Sequence, residues 1–225
     1  MALPTRIGRL RLPVLCFVVA KADAKDGDID KLVTEALAGG VTMIQLRDHD
    51  TPAGELVALG RRLKALTRGK ALLIINDRVD VAQMMEADGV QLPQEGLPVR
   101  ATRSLLGRYP LVGRSVHDAD AARSAATEGA EFIVAGTIYK STSHPDAEPA
   151  GPTLIAEITK NSSLPVLAIG GITADKVEEV VRAGAVGIAV ISAIAGAADP
   201  KTAAQELSEA LKQAWTSQAA LGASA

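Results

Sequence analysis

The chain of 225 residues has a single cysteine, Cys16, and very few aromatic rings, 2% of its residues. A lone cysteine excludes an intrachain disulfide and fits a reducing compartment. Since hydrophobic residues still make up 48%, the scarcity of rings implies a core of Ala, Val, Leu and Ile. Charge of one sign is missing too. The net charge is −2 with signs interspersed, leaving no basic stripe for nucleic acid or a membrane surface. No apolar run is long enough to cross a bilayer. Arg6, Arg9 and Arg11 ahead of Leu12–Ala20, with Ala22-Asp23-Ala24 behind, could be read as a signal peptide. That run is short, however, and the strand count below requires it. The expectation is a cytoplasmic protein with neither a nucleic-acid nor a membrane partner. A Cys/His metal cluster, a Gly-x-Ser-x-Gly elbow and a Walker loop are also missing.

What is present is a repeating alternation. Apolar runs rich in Val and Ile recur at Val14–Ala20, Thr42–Leu46, Ala71–Ile75, Gly89–Leu92, Leu111–Val116, Glu131–Ala135, Val166–Ile169 and Ile188–Ile191, with helical patterns between them. Near-continuous apolarity suits parallel strands covered on both faces. Ala38-Gly39-Gly40-Val41, Ala87-Asp88-Gly89-Val90, Glu128-Gly129-Ala130 and Ala183-Gly184-Ala185 each place a glycine between helix and strand, where a helix can end. Asp118 with Asp120, and Thr173 with Asp175, mark helix starts. Eight such units predict an α/β fold, a single (β/α)8 TIM barrel over 1–217, with 218–225 as a flexible tail. An open doubly wound sheet is the alternative.

In such a barrel the strand C-termini form the active face. Reading along them gives Gln45 and Arg47, Asn76 and Asp77, Gln91, Ser115 and His117, Thr137, Gly170 with Gly171, and Ser192. The turns Ile169-Gly170-Gly171-Ile172 and Val190-Ile191-Ser192-Ala193 stand where barrels bind phosphate, with glycines that admit a close approach; tight turns needing glycine for geometry alone are the other reading. His117 ends an apolar run and precedes a helix cap, which suits either a proton-transfer group or an ordinary loop residue. His49 and His144 read as solvated loop residues. The long polar stretch between Gly136 and Thr153 reads as a binding loop or a surface insertion. Cys16 falls inside the first strand, as a core residue.

Taken together, Gln45-Leu-Arg47, Ile74-Ile-Asn76-Asp77, Ala87–Leu92, Gly113-Arg-Ser-Val-His117 and the two phosphate-type turns resemble the thiamin phosphate synthase family with its sister branch, the thiazole tautomerases. The resemblance runs from about Val14 to Leu211 and implies a (β/α)8 barrel that binds a thiazole phosphate. It also exposes departures. Synthases carry Gln-x-Arg-x-Lys where this chain has Gln45, Arg47 and His49, and His-Leu-Gly-Gln-Glu-Asp where it has Gln91-Leu-Pro93-Gln-Glu95-Gly96. A second synthase lysine aligns with His144. The resemblance makes Asp77 and the missing Asp at 96 the magnesium carboxylates, and Mg2+ commonly takes one or two carboxylates plus substrate phosphates. Glu95 could restore the pair only by moving the loop. Two lost lysine contacts at roughly 1.5–3 kcal/mol each would weaken pyrophosphate stabilisation by about 10²–10⁴-fold.

Val90–Pro93 and Gly113–His117 resemble the tautomerase branch instead. The expectation is therefore an isomerase, a thiazole tautomerase that aromatises a carboxythiazole phosphate without metal or other cofactor. His117 would shuttle the proton, since an imidazole with pKa near 6.5 offers both protonation states. Gln45, Arg47 and Asn76 would orient the thiazole carboxylate. Ser115, Thr137, Gly170, Gly171, Ile191 and Ser192 complete the substrate contacts. One alternative is a synthase that joins hydroxymethylpyrimidine pyrophosphate to thiazole phosphate with Mg2+ at Asp77. The other is a non-catalytic thiamin-pathway binding or regulatory protein. The partner is a small-molecule thiazole phosphate, and a homo-oligomer is left open.

Overall fold

The computed structural model describes residues 5–141 and 148–223, with side chains up to residue 220. Eight parallel strands close into a barrel: β3 (Val14–Val19), β4 (Met43–Leu46), β5 (Leu72–Asn76), β6 (Gly89–Leu92), β7 (Leu111–Val116), β8 (Phe132–Ala135), β9 (Val166–Ile169) and β10 (Gly187–Val190). Closure comes from β10 pairing with β3, Gly187 opposite Val14 and Val190 opposite Phe17. The expected (β/α)8 barrel is thus the observed one, each strand within a residue of its predicted bounds.

Strand alternation sorts the apolar side chains into two shells. Along β3, Val14, Cys16 and Val18 point into the barrel with Met43, Ile74, Leu111, Phe132 and Leu167. Leu15, Phe17 and Val19 point outward against the helices. Those helices are α1 (Ile29–Ala38), α2 (Ala53–Thr67), α3 (Val79–Met84), α4 (Val99–Leu106), α5 (Ala119–Glu128), α6 (Thr153–Asn161), α7 (Val177–Arg182), α8 (Ser192–Ala195) and α9 (Pro200–Ala223). Asp28 and Asp118 cap α1 and α5, accepting from Lys31 N (2.9 Å) and Ala121 N (2.7 Å). The last helix continues to Ala223, into the stretch 218–225 that the sequence suggests as a tail.

The interior needs glycine as much as bulk. A Cβ on Gly113 would lie 2.2 Å from Phe132 Cζ and 2.2 Å from Gln91 Oε1, so the ring of Phe132 fills the space that Gly113 vacates. Gly89 is the first residue of β6, as the run Gly89–Leu92 predicts, and a Cβ there would meet Leu111 O at 2.5 Å.

A short hairpin absent from the sequence reading, β1 (Arg6–Ile7) with β2 (Leu10–Arg11), closes the N-terminal end of the barrel and inserts Leu10 among the interior residues. Arg9 fastens it there, donating to Tyr109 O (2.7 Å), lying over the Tyr109 ring and pairing with Asp88 (3.2 Å). The opposite end is left open. Among the described residues no helix is long and apolar enough to cross a membrane.

Candidate active site

Because side chains alternate along each strand, the layer nearest the C-terminal end of the barrel contains Val18, Gln45, Asn76, Gln91, Ser115, Val134, Ile169 and Ala189, and these form the floor of a cavity of about 850 Å³. Polar members of the floor pair with each other. Gln45 Nε2 donates to Asn76 Oδ1 (3.0 Å), and Gln91 Nε2 donates to Ser115 Oγ (3.0 Å). Ser115, having accepted, keeps its hydroxyl proton to give. Gln91 Oε1 is buried without a partner among the described residues, an arrangement that costs about 1–3 kcal/mol until a donor reaches it.

The walls come from the loops after the strands. Arg47 and His49 follow β4, and Asp48 between them folds that loop by accepting from Lys21 N (2.9 Å) and Thr51 N (2.9 Å). Partial burial works to raise the Asp48 carboxyl, but these donors together with Asp50 N–H hold it below the usual carboxylate range. Arg47, Lys140 and Lys176 all line the cavity without an ion pair among the described residues. Glu148 is the only carboxylate among the described lining residues, so the site favours an anionic ligand.

His117 stands at the rim, with Nδ1 hydrogen-bonded to the Gly136 carbonyl. A carbonyl only accepts, so Nδ1 carries the proton and the neutral ring keeps its Nε2 lone pair. Thr137, Gly170, Gly171, Ile191 and Ser192 line the other side. Every substrate residue predicted from the sequence therefore borders one cavity. His144 lies outside the described residues.

Gly170 (φ 106°) and Gly171 (φ 61°) make a left-handed turn. The backbone they admit is in the first place the chain's own. Tyr139 N donates to Gly170 O (3.0 Å), Ile138 N donates to Ile169 O (2.9 Å), and a Cβ on Gly171 would lie 2.2 Å from Lys140 O. This contact brings two cations to the turn, Lys140 and Lys176, both missed by the sequence reading. Lys176 was legible only as part of a helix start. Its ammonium donates to Gly171 O (3.1 Å) and sits over the Tyr139 ring. The Tyr139 hydroxyl donates to Glu179 (2.5 Å), and burial, then that bond, pushes the phenol pKa up.

The residues at the family's magnesium position do not fit a resident ion. Asp77, held in the left-handed region at φ 59° with its N–H donating to Gln91 O (2.8 Å), is the one carboxylate of the expected pair. A Cβ on Gly96 would fall 3.1 Å from Asp77 Oδ1, which marks position 96 as its neighbour, but also 2.8 Å from Pro93 Cδ and 3.0 Å from Pro93 Cγ. The proline ring occupies the place where a side chain at 96 would begin. Glu95 is exposed, and the described residues hold no group of three metal-ligating side chains. One carboxylate makes no protein cage for Mg2+, which could be held here only together with substrate phosphates.

The residues that favoured a tautomerase have other duties. Arg114 does not line the cavity. Its guanidinium donates to Gln94 O (2.6 Å) and Leu97 O (2.8 Å), stapling the loop after β6. Gly113 makes room for Phe132. Neither lines the cavity, so Gly113 and Arg114 do not discriminate between the two chemistries.

Comparison with known proteins decides the branch. The family model described as thiamine monophosphate synthase matches residues 15–194. The thiamine-phosphate synthase of Roseiflexus castenholzii is 42% identical over 202 residues, covering 89% of this chain and 89% of that protein. The Moorella thermoacetica thiamine-phosphate synthase is 44% identical over 186 residues, 82% of this chain and 89% of its own length. The solved structure of thiamine phosphate pyrophosphorylase from Pyrococcus furiosus superposes with a TM-score of 0.82 at 35% identity, covering 90% of this chain and 97% of that one. These names overturn the expected isomerase: the relatives are transferases, and the thiazole tautomerase reading is withdrawn. Matched over most of its length, the chain belongs to the thiamine monophosphate synthase family.

Proposed function

We propose that the protein is a thiamine-phosphate synthase, a transferase that joins hydroxymethylpyrimidine pyrophosphate to thiazole phosphate. The observation that carries the reading is a cavity of about 850 Å³ with amides on its floor and, on its walls, three cations that form no ion pair among the described residues. That volume suits two small heterocycles. The unpaired cations suit two phosphorylated groups.

In the reaction the thiazole ring nitrogen gives its lone pair to the exocyclic CH2 of the pyrimidine, forming the C–N bond. The C–O bond to pyrophosphate breaks and its electrons leave with that group. The protein's task is to hold the two centres in line and to stabilise the departing charge. Gln45 and Asn76 orient the pyrimidine through the amide groups left over from their mutual bond. Arg47, with His49 beside it, receives the pyrophosphate, while Gly170, Gly171, Ile191 and Ser192 hold the thiazole phosphate, with Thr137 bordering that turn.

The proton shuttle expected of His117 has no place here, because C–N bond formation at a ring nitrogen that already carries a lone pair removes no proton. Its Nε2, left over from the Nδ1 bond to Gly136 O, instead fixes a substrate ring, and the Ser115 hydroxyl serves as a donor beside it. Among the described residues Asp77 is the one carboxylate at the position that the resemblance gives to magnesium, so a metal there would have to be held largely by the substrate phosphates, and Arg47, Lys140 and Lys176 supply the chain's own positive charge. The test is to supply both phosphorylated halves to the purified protein and look for thiamine phosphate by mass together with released pyrophosphate. Binding of thiazole phosphate without either product would overturn the assignment.

A further inference from the structure

We infer that Lys176 is the cation that neutralises the thiazole phosphate at the Gly170–Gly171 turn, and that the Tyr139–Glu179 bond exists to keep Lys176 available. The inference rests on the proposed placement of that phosphate. Lys176 closes the 3-10 turn Ala174–Lys176 that leads from β9 into α7. Its ammonium donates to Gly171 O (3.1 Å), lies 4.7 Å from the centroid of the Tyr139 ring, and borders the cavity.

Neither of those partners carries a negative charge. A carbonyl oxygen and a ring face hold an ammonium in place without neutralising it. Among the described residues none of the carboxylates near Lys176 in sequence forms an ion pair with it: Glu178 pairs with Arg182, and Asp175 feels the ammonium only as the last of several influences on its carboxyl. Asp175 accepts from the Thr173 hydroxyl (2.6 Å), and Glu179 accepts from the Tyr139 hydroxyl (2.5 Å). Glu179 is the telling one, because residues three apart on a helical path are neighbours and Lys176 with Glu179 would ordinarily pair. Tyr139 performs both duties at once: its ring face supports the lysine while its hydroxyl occupies the competing carboxylate.

The lysine therefore stands one turn beyond the phosphate turn with an unspent charge and a flexible four-carbon stem. A dianion at Gly171 gives that stem a better partner than the carbonyl it holds now. Lys140, whose carbonyl packs against Gly171, adds a second cation from the loop after β8, and Glu148 lines the same cavity.

Calorimetry on the full chain, comparing thiazole phosphate with the unphosphorylated thiazole alcohol, tests this. Lys176→Met should weaken the phosphate ester by about 10–100-fold while leaving the alcohol unchanged, and Lys176→Arg should recover most of the loss. Tyr139→Phe keeps the ring but releases Glu179, so it should weaken the ester several-fold. The double variant Tyr139→Phe/Glu179→Gln should restore it, a recovery that a merely structural tyrosine would not give. An ester-to-alcohol ratio unchanged in Lys176→Met, or a double variant no better than Tyr139→Phe, overturns the inference. If the wild type itself does not prefer the ester, the phosphate placement fails first. Absence of thiamine phosphate formation with the ester preference intact counts against the synthase reading alone.

Discussion

Placing an aspartate at position 96 should fail on its own and succeed only when Pro93 gives way. In Gly96→Asp the new Cβ would lie 2.8 Å from Pro93 Cδ, in a loop that Arg114 staples at Gln94 O and Leu97 O. Overpacking of this kind costs about 1–3 kcal/mol. The new carboxylate would also face Asp77, whose Oδ1 is 3.1 Å from that Cβ, adding about 1–3 kcal/mol of like-charge repulsion at an effective dielectric constant near 20–40. For a chain of this length, a combined loss of about 2–6 kcal/mol lowers Tm by roughly 4–24 °C. Pro93→Gly/Gly96→Asp removes the steric part and leaves the repulsion, which a divalent cation can reverse. Thermal melts with and without about 10 mM MgCl2 read both effects. The double variant should gain roughly 5 °C or more from magnesium, corresponding to about 2.7 kcal/mol at a hundred times Kd, whereas the wild type should not respond. A Gly96→Asp protein that melts with the wild type, or a wild type stabilised by magnesium alone, would refute the reasoning.

Three further outcomes are expected. Gly113→Ala forces a Cβ to within 2.2 Å of Phe132 and should lower the urea midpoint by an amount equivalent to about 1–3 kcal/mol with m unchanged; wild-type stability would mean that the ring does not fill the barrel there. Burial pushes the Cys16 thiol up to about 12, so at pH 8 only roughly one thiol in 10⁴ is ionised. A disulfide reagent should leave the folded protein unmodified and titrate one thiol in guanidinium, and rapid labelling of the native protein would contradict the burial. Arg47→Ala should lower kcat/KM for the pyrophosphate substrate by about 10–150-fold, the equivalent of one charge-assisted contact, with little change in KM for thiazole phosphate; equal losses for both substrates would misplace the pyrophosphate.

The barrel was legible because strands buried on both faces are written as continuous runs such as Val14–Val19 and Leu72–Asn76, and because helix caps such as Asp118 carry a local chemical signal. The N-terminal hairpin was not legible, since strands of two residues have no period. The arginines that suggested a targeting signal include Arg9, which fastens that hairpin to Asp88 and Tyr109. Strand-end polar residues were readable from topology alone: Gln45, Asn76, Ser115 and His117 reach the cavity because alternation and strand direction put them there. Lys140 and Lys176 were not, because the first depends on how the loop after β8 packs against Gly171 and the second on the turn Ala174–Lys176 that sets its ammonium on Gly171 O and the Tyr139 ring. The choice between branches failed for a related reason. Gly113 and Arg114 look distinctive in a motif, yet one serves the packing of Phe132 and the other ties down a loop, and sequence spacing cannot separate such duties from chemistry.

The measurement that bears most directly on the proposed chemistry is the stoichiometry of a single reaction containing both phosphorylated halves. Thiamine phosphate and pyrophosphate should appear in a one-to-one ratio, and only when both halves are present. Consumption of either half without thiamine phosphate, or no turnover while thiazole phosphate binds, would contradict the account.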